Sequence, residues 1–226
     1  MHPDSNGLPP LHHSSATPDH PKRFVLGISG ASGAAYSLRL LEQFLVLGHE
    51  VHLVVSDYGR RLLYDETGIN HLEFATLCPT VADARAAQRL IIHPNKDVGA
   101  VIASGSFLHD GMIVLPCSSA SLGAIATSSG SNLLTRAAMV TLKERRPLIL
   151  CHREMPLNHI DIINYQNLSL AGAIICPPNP GFYLRPTSID DIVDFTVGKV
   201  LDLLKVEHAL KTRWEDATKP TSTRPG

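Results

Sequence analysis

Short apolar runs alternate with segments of helical periodicity along most of the chain. The apolar runs are RFVLGIS (23–29), HEVHLVVS (49–56), MIVLPC (112–117), PLILC (147–151) and AGAIICP (171–177). Each run is brief and apolar at nearly every position, which is typical of a strand buried on both faces. We therefore predict a sheet that is covered on both sides.

The segments between the runs predict helices. The first helix begins at Ser32, and the second runs through RRLLYDE (60–66). Further helices cover 118–144 and 158–170, and the last begins at Ser188. Asp191 follows Ser188 by three residues, as in a capping box. Strands that alternate with helices form parallel sheets, so the predicted fold class is α/β, a three-layer α/β/α sandwich. Ligands of such sheets bind beyond the carboxyl ends of the strands.

The two ends of the chain lack this alternation. Residues 1–22 are rich in Pro, His, Ser and Asp and have no periodic apolar face, so we expect a disordered N-terminal extension. Residues 215–226 predict a C-terminal tail in the same way. The remainder, 23–214, has a length that suits one domain.

Charge and cysteine usage narrow the functional classes. The formal net charge is −1, the isoelectric point is near 6.9, and Lys and Arg are dispersed, which argues against nucleic acid or an anionic membrane as a partner. No run reaches the roughly 18 apolar residues of a membrane span, and no secretory signal is recognisable. The four cysteines form no C-x-x-C pair, so we expect buried free thiols in a cytoplasmic protein.

A glycine-rich turn follows the first strand. It reads G-x-x-G-x-x-G over 27–33, which differs from the dinucleotide fingerprint, and the second strand ends at Ser56 rather than at a carboxylate for a ribose. A helix N-terminus with the hydroxyls of Ser29 and Ser32 suits a terminal phosphate. The turn therefore favours a mononucleotide, although close packing of strand and helix explains the glycines as well.

Two further segments carry polar groups at predicted strand ends. PCSSAS (116–121) places serines at another helix start, where ordinary N-caps are the alternative reading. Arg136 and Lys143 are seven residues apart on one helical face, and we expect them to gather over the strand-end crevice. Arg153 and Glu154 follow an apolar strand directly, a position that suits the carboxylate for acid–base chemistry.

Two apparent metal motifs have simpler explanations. DDIVD (190–194) matches the D-D-x-x-D signature of some isoprenoid enzymes, but it opens a helix, where acidic residues favour the N-terminal dipole. His49 and His52 lie three residues apart around a strand start and face opposite sides. We predict no metal site.

Eight segments, in order, resemble the flavin prenyltransferase (UbiX-like) family. They are GISGASGAAYSLRLL, ASGSF, PCS, NLLTRAA, LKERRPLIL, REMPLN, PGFY and IVDFTVGKVLDLL, and the resemblance runs from Phe24 to Trp214. It implies a flavodoxin-like or Rossmann-like sheet and transfer of a dimethylallyl group from dimethylallyl phosphate to N5 and C6 of reduced FMN, without a metal. It also implies a homo-oligomer, typically a dodecamer, with sites at subunit interfaces, and a partner decarboxylase that receives the prenylated FMN.

The resemblance assigns roles to individual residues. The positions that match FMN contacts are Gly30, Ala31, Ser32, Ser56, Ser118, Ser119, Ala120, Ser121 and Arg153. The positions that match the grip on the prenyl phosphate are Lys143, Tyr183 and Lys199, with Arg136 nearby, and Trp214 matches a C-terminal aromatic that helps to cover the site. Glu154 matches the acid–base carboxylate, Ser32 a proton relay, and Glu66 a group that reaches a neighbouring subunit's site.

This chain departs from the family pattern at two positions, and two rival functions share part of that pattern. Lys199 stands where some members have Arg, and Val98 where certain members have Trp. One rival is a flavin-dependent cysteinyl decarboxylase on the same fold, which resembles this chain in the flavin turn but has a P-A-S-A-N-T-like segment where this chain has PCSSASL. The other rival is a non-catalytic FMN carrier, which would not require Lys143, Glu154 and Tyr183 together.

Overall fold

A six-stranded parallel sheet forms the centre of the computed structural model, which describes residues 20–83 and 85–212. The strands are β1 (Arg23–Ile28), β2 (Glu50–Val55), β3 (Leu90–His93), β4 (Gly111–Cys117), β5 (Leu148–His152) and β6 (Ile174–Ile175). Their order across the sheet is β3-β2-β1-β4-β5-β6, and every neighbouring pair is parallel. This is the Rossmann order of a doubly wound sheet.

Helices cover both faces of the sheet. They are α1 (Ala34–Val46), α2 (Asp57–Thr67), α3 (Phe74–Leu77), α4 (Ser119–Ala126), α5 (Leu133–Lys143), α6 (His159–Ala171) and α7 (Ile189–Leu203). One apolar cluster joins α1 and α7 to the first face, and a second cluster joins α4, α5 and α6 to the other. The predicted three-layer α/β/α class is confirmed.

Several predicted elements are confirmed with altered bounds. The helices predicted across 118–144 are α4 and α5, which TSSGSN (127–132) separates, and Asn132 caps α5. Ser188 and Asp191 form the predicted capping box of α7. The sequence did not predict β3, a run of four residues that is too short to recognise by periodicity, and the last predicted strand shrinks to the two residues of β6.

The acidic run at the start of α7 serves the helix itself. Asp191 accepts hydrogen bonds from the backbone N–H groups of Thr187 and Ser188, and these bonds lower its pKa. Asp194 pairs with Arg39 of α1 at 2.6 Å. The capping interpretation of DDIVD is therefore confirmed.

The described residues also bear on the cysteines, on membrane spans and on the domain bounds. Cys78, Cys117, Cys151 and Cys176 are free thiols, and the first three are buried. Between residues 20 and 212, no helix combines the length and the hydropathy that crossing a bilayer requires. Most of the predicted extension and the whole predicted tail lie outside the described residues, so the domain bounds stay a prediction.

The sheet reverses its winding between β1 and β4. These strands are neighbours in the sheet, but α1 leaves β1 toward one face and α4 leaves β4 toward the other. Such a switch point opens a crevice at the carboxyl ends of the two strands. The glycine-rich turn after β1 and the serine-rich turn after β4 both lie at this point.

Candidate functional site

Ser29 joins the two turns at the switch point. Its hydroxyl donates to the carbonyl of Pro116 at 3.0 Å and accepts from the backbone N–H of Ser118 at 2.8 Å. The backbone N–H of Ser56 donates to the carbonyl of Ile28 at 2.9 Å, which brings the end of β2 beside the same turn. The predicted FMN positions after β1, β2 and β4 therefore share one edge of the sheet.

The serines of these turns already act as helix caps. The Ser118 hydroxyl accepts from the N–H of Ser121, and the Ser56 hydroxyl accepts from the N–H of Gly59 at 3.0 Å. The capping interpretation is thus correct for both side chains. The Ser118 cap leaves the first backbone N–H groups of α4, at Ser119 and Ala120, directed beyond the helix end, where they suit an anion.

Glu66 occupies the N-terminus of α1. Its carboxylate accepts from the N–H of Gly33 at 3.0 Å and from the N–H of Ala34 at 2.8 Å. These two N–H groups are not free, so the expectation that the first helix offers them to a phosphate is wrong for the single chain. The expected reach of Glu66 into a neighbouring subunit stays a prediction, since only one copy is described.

Close approach of two elements explains one glycine of the first turn. A Cβ atom at Gly30 would collide with the Cβ atom of Tyr58 on α2. Only glycine therefore lets the turn lie against α2, and this contact holds Ala31 and Ser32 at the mouth of the crevice.

A cavity of about 590 Å³ opens beside this turn. Its lining includes three predicted site residues, Ser32, Arg153 and Glu154. The backbone N–H of Arg153 donates to the carbonyl of Cys117 at 3.0 Å, which ties the end of β5 to the end of β4. The cavity volume is within the range of small-molecule sites.

The cavity wall is partly aromatic. Tyr36 of α1, His152 of β5 and Tyr165 of α6 line it together with Pro177 and Pro178. An apolar and aromatic wall with one guanidinium and one carboxylate suits a flat heteroaromatic ring, and the N-terminus of α4 suits a phosphate. The residues present therefore fit FMN, whose ring and phosphate have these two requirements.

His152 is a site residue that sequence reasoning missed. Its Nε2 lies 2.9 Å from the Ser119 hydroxyl, and its Nδ1 lies 2.8 Å from the Tyr165 hydroxyl. Burial lowers the pKa of His152, against the opposing effect of the carboxylates of Asp161 and Glu154. Its place immediately before Arg153 at a strand end was a usable signal, whereas nothing in the sequence marks Tyr165.

Arg136 and Lys143 do not join the cavity of their own chain. Lys143 ends α5 close to the start of β5, at the amino edge of the sheet, whereas Glu154 follows the carboxyl end of β5. The length of β5 alone separates these edges by roughly 16 Å at ~3.3 Å per residue. The predicted gathering is therefore wrong for Lys143 within one chain, because α5 runs antiparallel to the strands and ends at their amino edge. Arg136 lies near the start of α5, where the Leu133 N–H donates to the carbonyl of Asn95 after β3, but Arg136 does not line the cavity.

Lys143 and Arg136 are nevertheless accessible. Lys143 pairs with Glu144, and 61% of its side chain is exposed. Arg136 lies on the outer face of α5 and is exposed. Both cations therefore face outward, where another copy of the chain can reach them.

Tyr183 and Lys199 do not line this cavity. Tyr183 lies beside the segment after α7, and Lys199 lies on α7 within electrostatic range of Cys176, the residue before Pro177. The Tyr183 hydroxyl donates to the carbonyl of Thr212 at 3.1 Å, and Thr212 also packs on Gly198, the neighbour of Lys199. Trp214 lies outside the described residues. Val98 lies in the loop after β3 and is 42% exposed.

Comparison with known proteins gives a consistent result. Residues 12–201 match the family model described as Flavoprotein. The flavin prenyltransferase UbiX of Halalkalibacterium halodurans is 42% identical over 191 residues, 84% of this chain and 92% of that protein. The mitochondrial flavin prenyltransferase PAD1 of Saccharomyces cerevisiae is 42% identical over 202 residues, 89% of this chain and 79% of that protein.

Solved structures add the fold and its ligands. A structure of AnUbiX (PadA1) in complex with FMN and dimethylallyl pyrophosphate is 35% identical, covers 86% of this chain and 100% of its own, and has a TM-score of 0.74. A dodecameric FMN-dependent Ubix-like decarboxylase from Escherichia coli is 38% identical, covers 85% and 98%, and has a TM-score of 0.76. The cysteine decarboxylase TvaF, at 14% identity and a TM-score of 0.53, shares the fold alone.

Proposed function

This chain belongs to the family of UbiX-like flavin prenyltransferases, and from that membership we propose that it transfers a dimethylallyl group from dimethylallyl phosphate to N5 and C6 of reduced FMN. One structural observation carries the proposal. The serine turns of β1 and β4 meet beside a cavity that contains Arg153 and Glu154. A single crevice thus provides anion-binding N–H groups, a cation and a carboxylate.

We assign FMN to this crevice. The residues that would hold it are Gly30, Ala31, Ser32, Ser56, Ser118, Ser119, Ala120, Ser121 and Arg153. The N-terminus of α4 would bind the phosphate, and the Arg153 guanidinium would face the acceptor atoms of the flavin. FMN enters as the reduced substrate, and the prenylated flavin leaves as the product.

Neither Lys143 nor Arg136, two cations of the expected prenyl-phosphate site, lines the cavity of its own chain. We propose that Lys143 and Arg136 come from a neighbouring copy, that Tyr183 and Lys199 complete the phosphate site, and that Trp214 helps to cover it. Positive charge stabilises the negative charge that develops on the departing phosphate. A homo-oligomer with sites between subunits follows, and we propose a dodecamer like the Escherichia coli relative.

Glu154 is the acid–base group in this proposal. Its side chain is exposed in the cavity, and one carboxylate oxygen accepts from the N–H of Met155 at 3.0 Å, which fixes its orientation. Ser32 lines the same cavity and would pass the proton. Glu66 stands beside the turn that carries Ser32, and we propose that in the assembly it supports a site that two copies share.

The two rival functions are less well supported. The relatives reported above at 42% identity are named flavin prenyltransferases, whereas the likeness to cysteine decarboxylases is limited to the fold. A carrier would need only the flavin crevice and not the exposed cations. We further propose that a decarboxylase receives the product and that the reaction takes place in the cytoplasm, a reducing compartment in which these free cysteines would persist.

The test is an anaerobic reaction with purified protein, reduced FMN, dimethylallyl monophosphate and a metal chelator. We expect the flavin to gain the mass of one dimethylallyl unit and its absorption spectrum to change. Glu154→Gln should bind FMN with near wild-type affinity and form the product at least a hundredfold more slowly, since general acid–base catalysis contributes about 10²–10⁴-fold. Unmodified flavin after incubation with the wild-type protein would refute the activity.

A further inference from the structure

A chain of three hydrogen-bonding side chains connects the FMN crevice to α6. The Ser119 hydroxyl lies 2.9 Å from Nε2 of His152, and Nδ1 of the same ring lies 2.8 Å from the Tyr165 hydroxyl. His152 is 1% exposed, and both His152 and Tyr165 line the cavity. The three groups therefore form one connected unit at the wall of the site.

The protonation state of the ring limits how this unit can be arranged. Burial lowers the pKa of His152 below its ordinary value, so the ring is neutral at physiological pH. A neutral imidazole has one N–H donor and one acceptor nitrogen. One hydroxyl must therefore donate to the ring and the other must accept from it.

The acidity of the two hydroxyls selects one arrangement. A phenol, with an ordinary pKa near 10, is a far stronger acid than the hydroxyl of serine and is the better donor. Tyr165 then donates to Nδ1, and the Nε2–H group donates to the Ser119 oxygen. This leaves the Ser119 hydroxyl proton free to donate elsewhere, since His152 is its one hydrogen-bond partner among the described residues.

We propose that Tyr165 and His152 are positioning residues that fix the Ser119 hydroxyl as a hydrogen-bond donor to FMN. Tyr165 sets the tautomer of His152, and that tautomer sets the direction of the Ser119 proton. The inference rests on the proposed function only in requiring FMN in this crevice. It adds two residues, His152 and Tyr165, to the flavin site of this chain.

The proposal predicts that Tyr165 acts on FMN through Ser119. In the wild-type background, Tyr165→Phe should weaken FMN binding about threefold to tenfold, the value of one hydrogen bond. Ser119→Ala should weaken it by a similar factor. The double variant should bind like Ser119→Ala alone, because Tyr165 then has no donor left to orient. The dissociation constant of FMN is measured for the wild type, both single variants and the double variant by titration of flavin fluorescence.

Tyr36→Phe supplies the matched control. Tyr36 lines the same cavity, but its hydroxyl pairs with Thr196 rather than with His152. Its effect on FMN affinity should multiply with that of Ser119→Ala, whatever its size. If the effects of Tyr165→Phe and Ser119→Ala also multiply, Tyr165 acts independently of Ser119 and the proposal is overturned.

A measurement on the wild-type protein keeps the proposal testable if a variant does not fold. Nitrogen NMR of the ¹⁵N-histidine-labelled FMN complex should show the Nε2–H tautomer for His152, assigned through its contacts with Tyr165. The Nδ1–H tautomer would contradict the proposed direction. Failure of the wild-type protein to bind FMN would overturn both proposals. If FMN binds and the double variant behaves like Ser119→Ala, but no prenyl group is transferred, the proposed function alone is contradicted.

Discussion

Glu66 stabilises the first turn of the site from a different helix. It reaches from α2 to the N–H groups of Gly33 and Ala34, at the start of α1. A carboxylate at this point satisfies two backbone donors and interacts favourably with the helix dipole. The geometry of the turn that holds Ser32 therefore depends on a side chain more than thirty positions away.

We predict that Glu66→Ala lowers the stability of the fold, in addition to any effect on catalysis. Loss of the cap should lower the free energy of unfolding by about 1 kcal/mol. Urea denaturation measures this change. Asp65→Ala is the control, because Asp65 pairs with Arg61 on the open surface and its loss should be smaller. Equal stability of Glu66→Ala and wild type would show that the cap is dispensable.

His49 makes stability depend on pH. It is 3% exposed, its Nδ1 accepts from the backbone N–H of Lys22, and burial lowers its pKa from 6.5 to about 4. As the pH falls, the unfolded chain takes up this proton first. The contribution is present above about pH 6.5 and is lost toward pH 4, with a slope that approaches 1.4 kcal/mol per pH unit.

The variant His49→Asn should flatten this dependence. The amide oxygen can replace Nδ1 as acceptor for the N–H of Lys22, but it does not titrate. Urea unfolding at pH 7.5 and pH 5 should show a smaller loss of stability in the variant than in the wild type. An unchanged loss would exclude His49 as a source of the pH dependence.

Single residues at strand ends were the part of the site that the sequence could predict. Ser118 and Arg153 were predicted because each comes at the end of a recognisable apolar strand, and Glu154 because it is the next residue. The Glu66 cap and the His152–Tyr165 bond were not, because they join residues whose proximity exists only after the sheet has formed. Lys143 was misplaced because its spacing from Arg136 predicts which face of the helix it is on, but not which edge of the sheet it approaches.

At the scale of elements, α2 packs unusually close to the sheet. A Cβ atom at Gly59 would lie 2.5 Å from the carbonyl oxygen of Ile28 and 3.1 Å from Val55. The obstacle is backbone and cannot rotate away. The helix is therefore held against the end of β1, directly before the turn that forms the crevice.

We predict opposite outcomes for two helical glycines. Gly59→Ala should lower the free energy of unfolding by about 1–3 kcal/mol through overpacking. Gly123→Ala, in α4, should be neutral or stabilising by up to about 1 kcal/mol, because its Cβ atom would meet the Asn164 amide at 3.5 Å, an ordinary contact. Thermal or urea unfolding compares them, and equal effects would contradict the packing argument.

The elements themselves were largely predictable, because their patterns are local. Uniform apolar runs identified five of the six strands, and caps such as Ser188 located helix starts. The missed strand β3 is a short element whose assignment depends on its neighbours in the sheet. The strand order was not readable, since many orders satisfy the same alternation of strands and helices.

At the scale of the whole molecule, the proposed active site is divided between two edges of the sheet. The flavin crevice with Glu154 lies at the carboxyl edge, and Lys143 lies at the amino edge of the same chain. A side chain cannot span this separation. The account therefore depends on assembly, in which the carboxyl edge of one copy meets Lys143 of another.

Complementation between two inactive variants tests this claim most directly. Lys143→Met and Glu154→Gln, each with its own tag, are co-expressed, and the mixed assembly is purified through both tags. A site that takes Lys143 from one copy and Glu154 from another is restored in about a quarter of cases under random mixing. We predict anaerobic prenylation of reduced FMN at about that share of wild-type activity. A mixed assembly no more active than either variant alone would contradict the account.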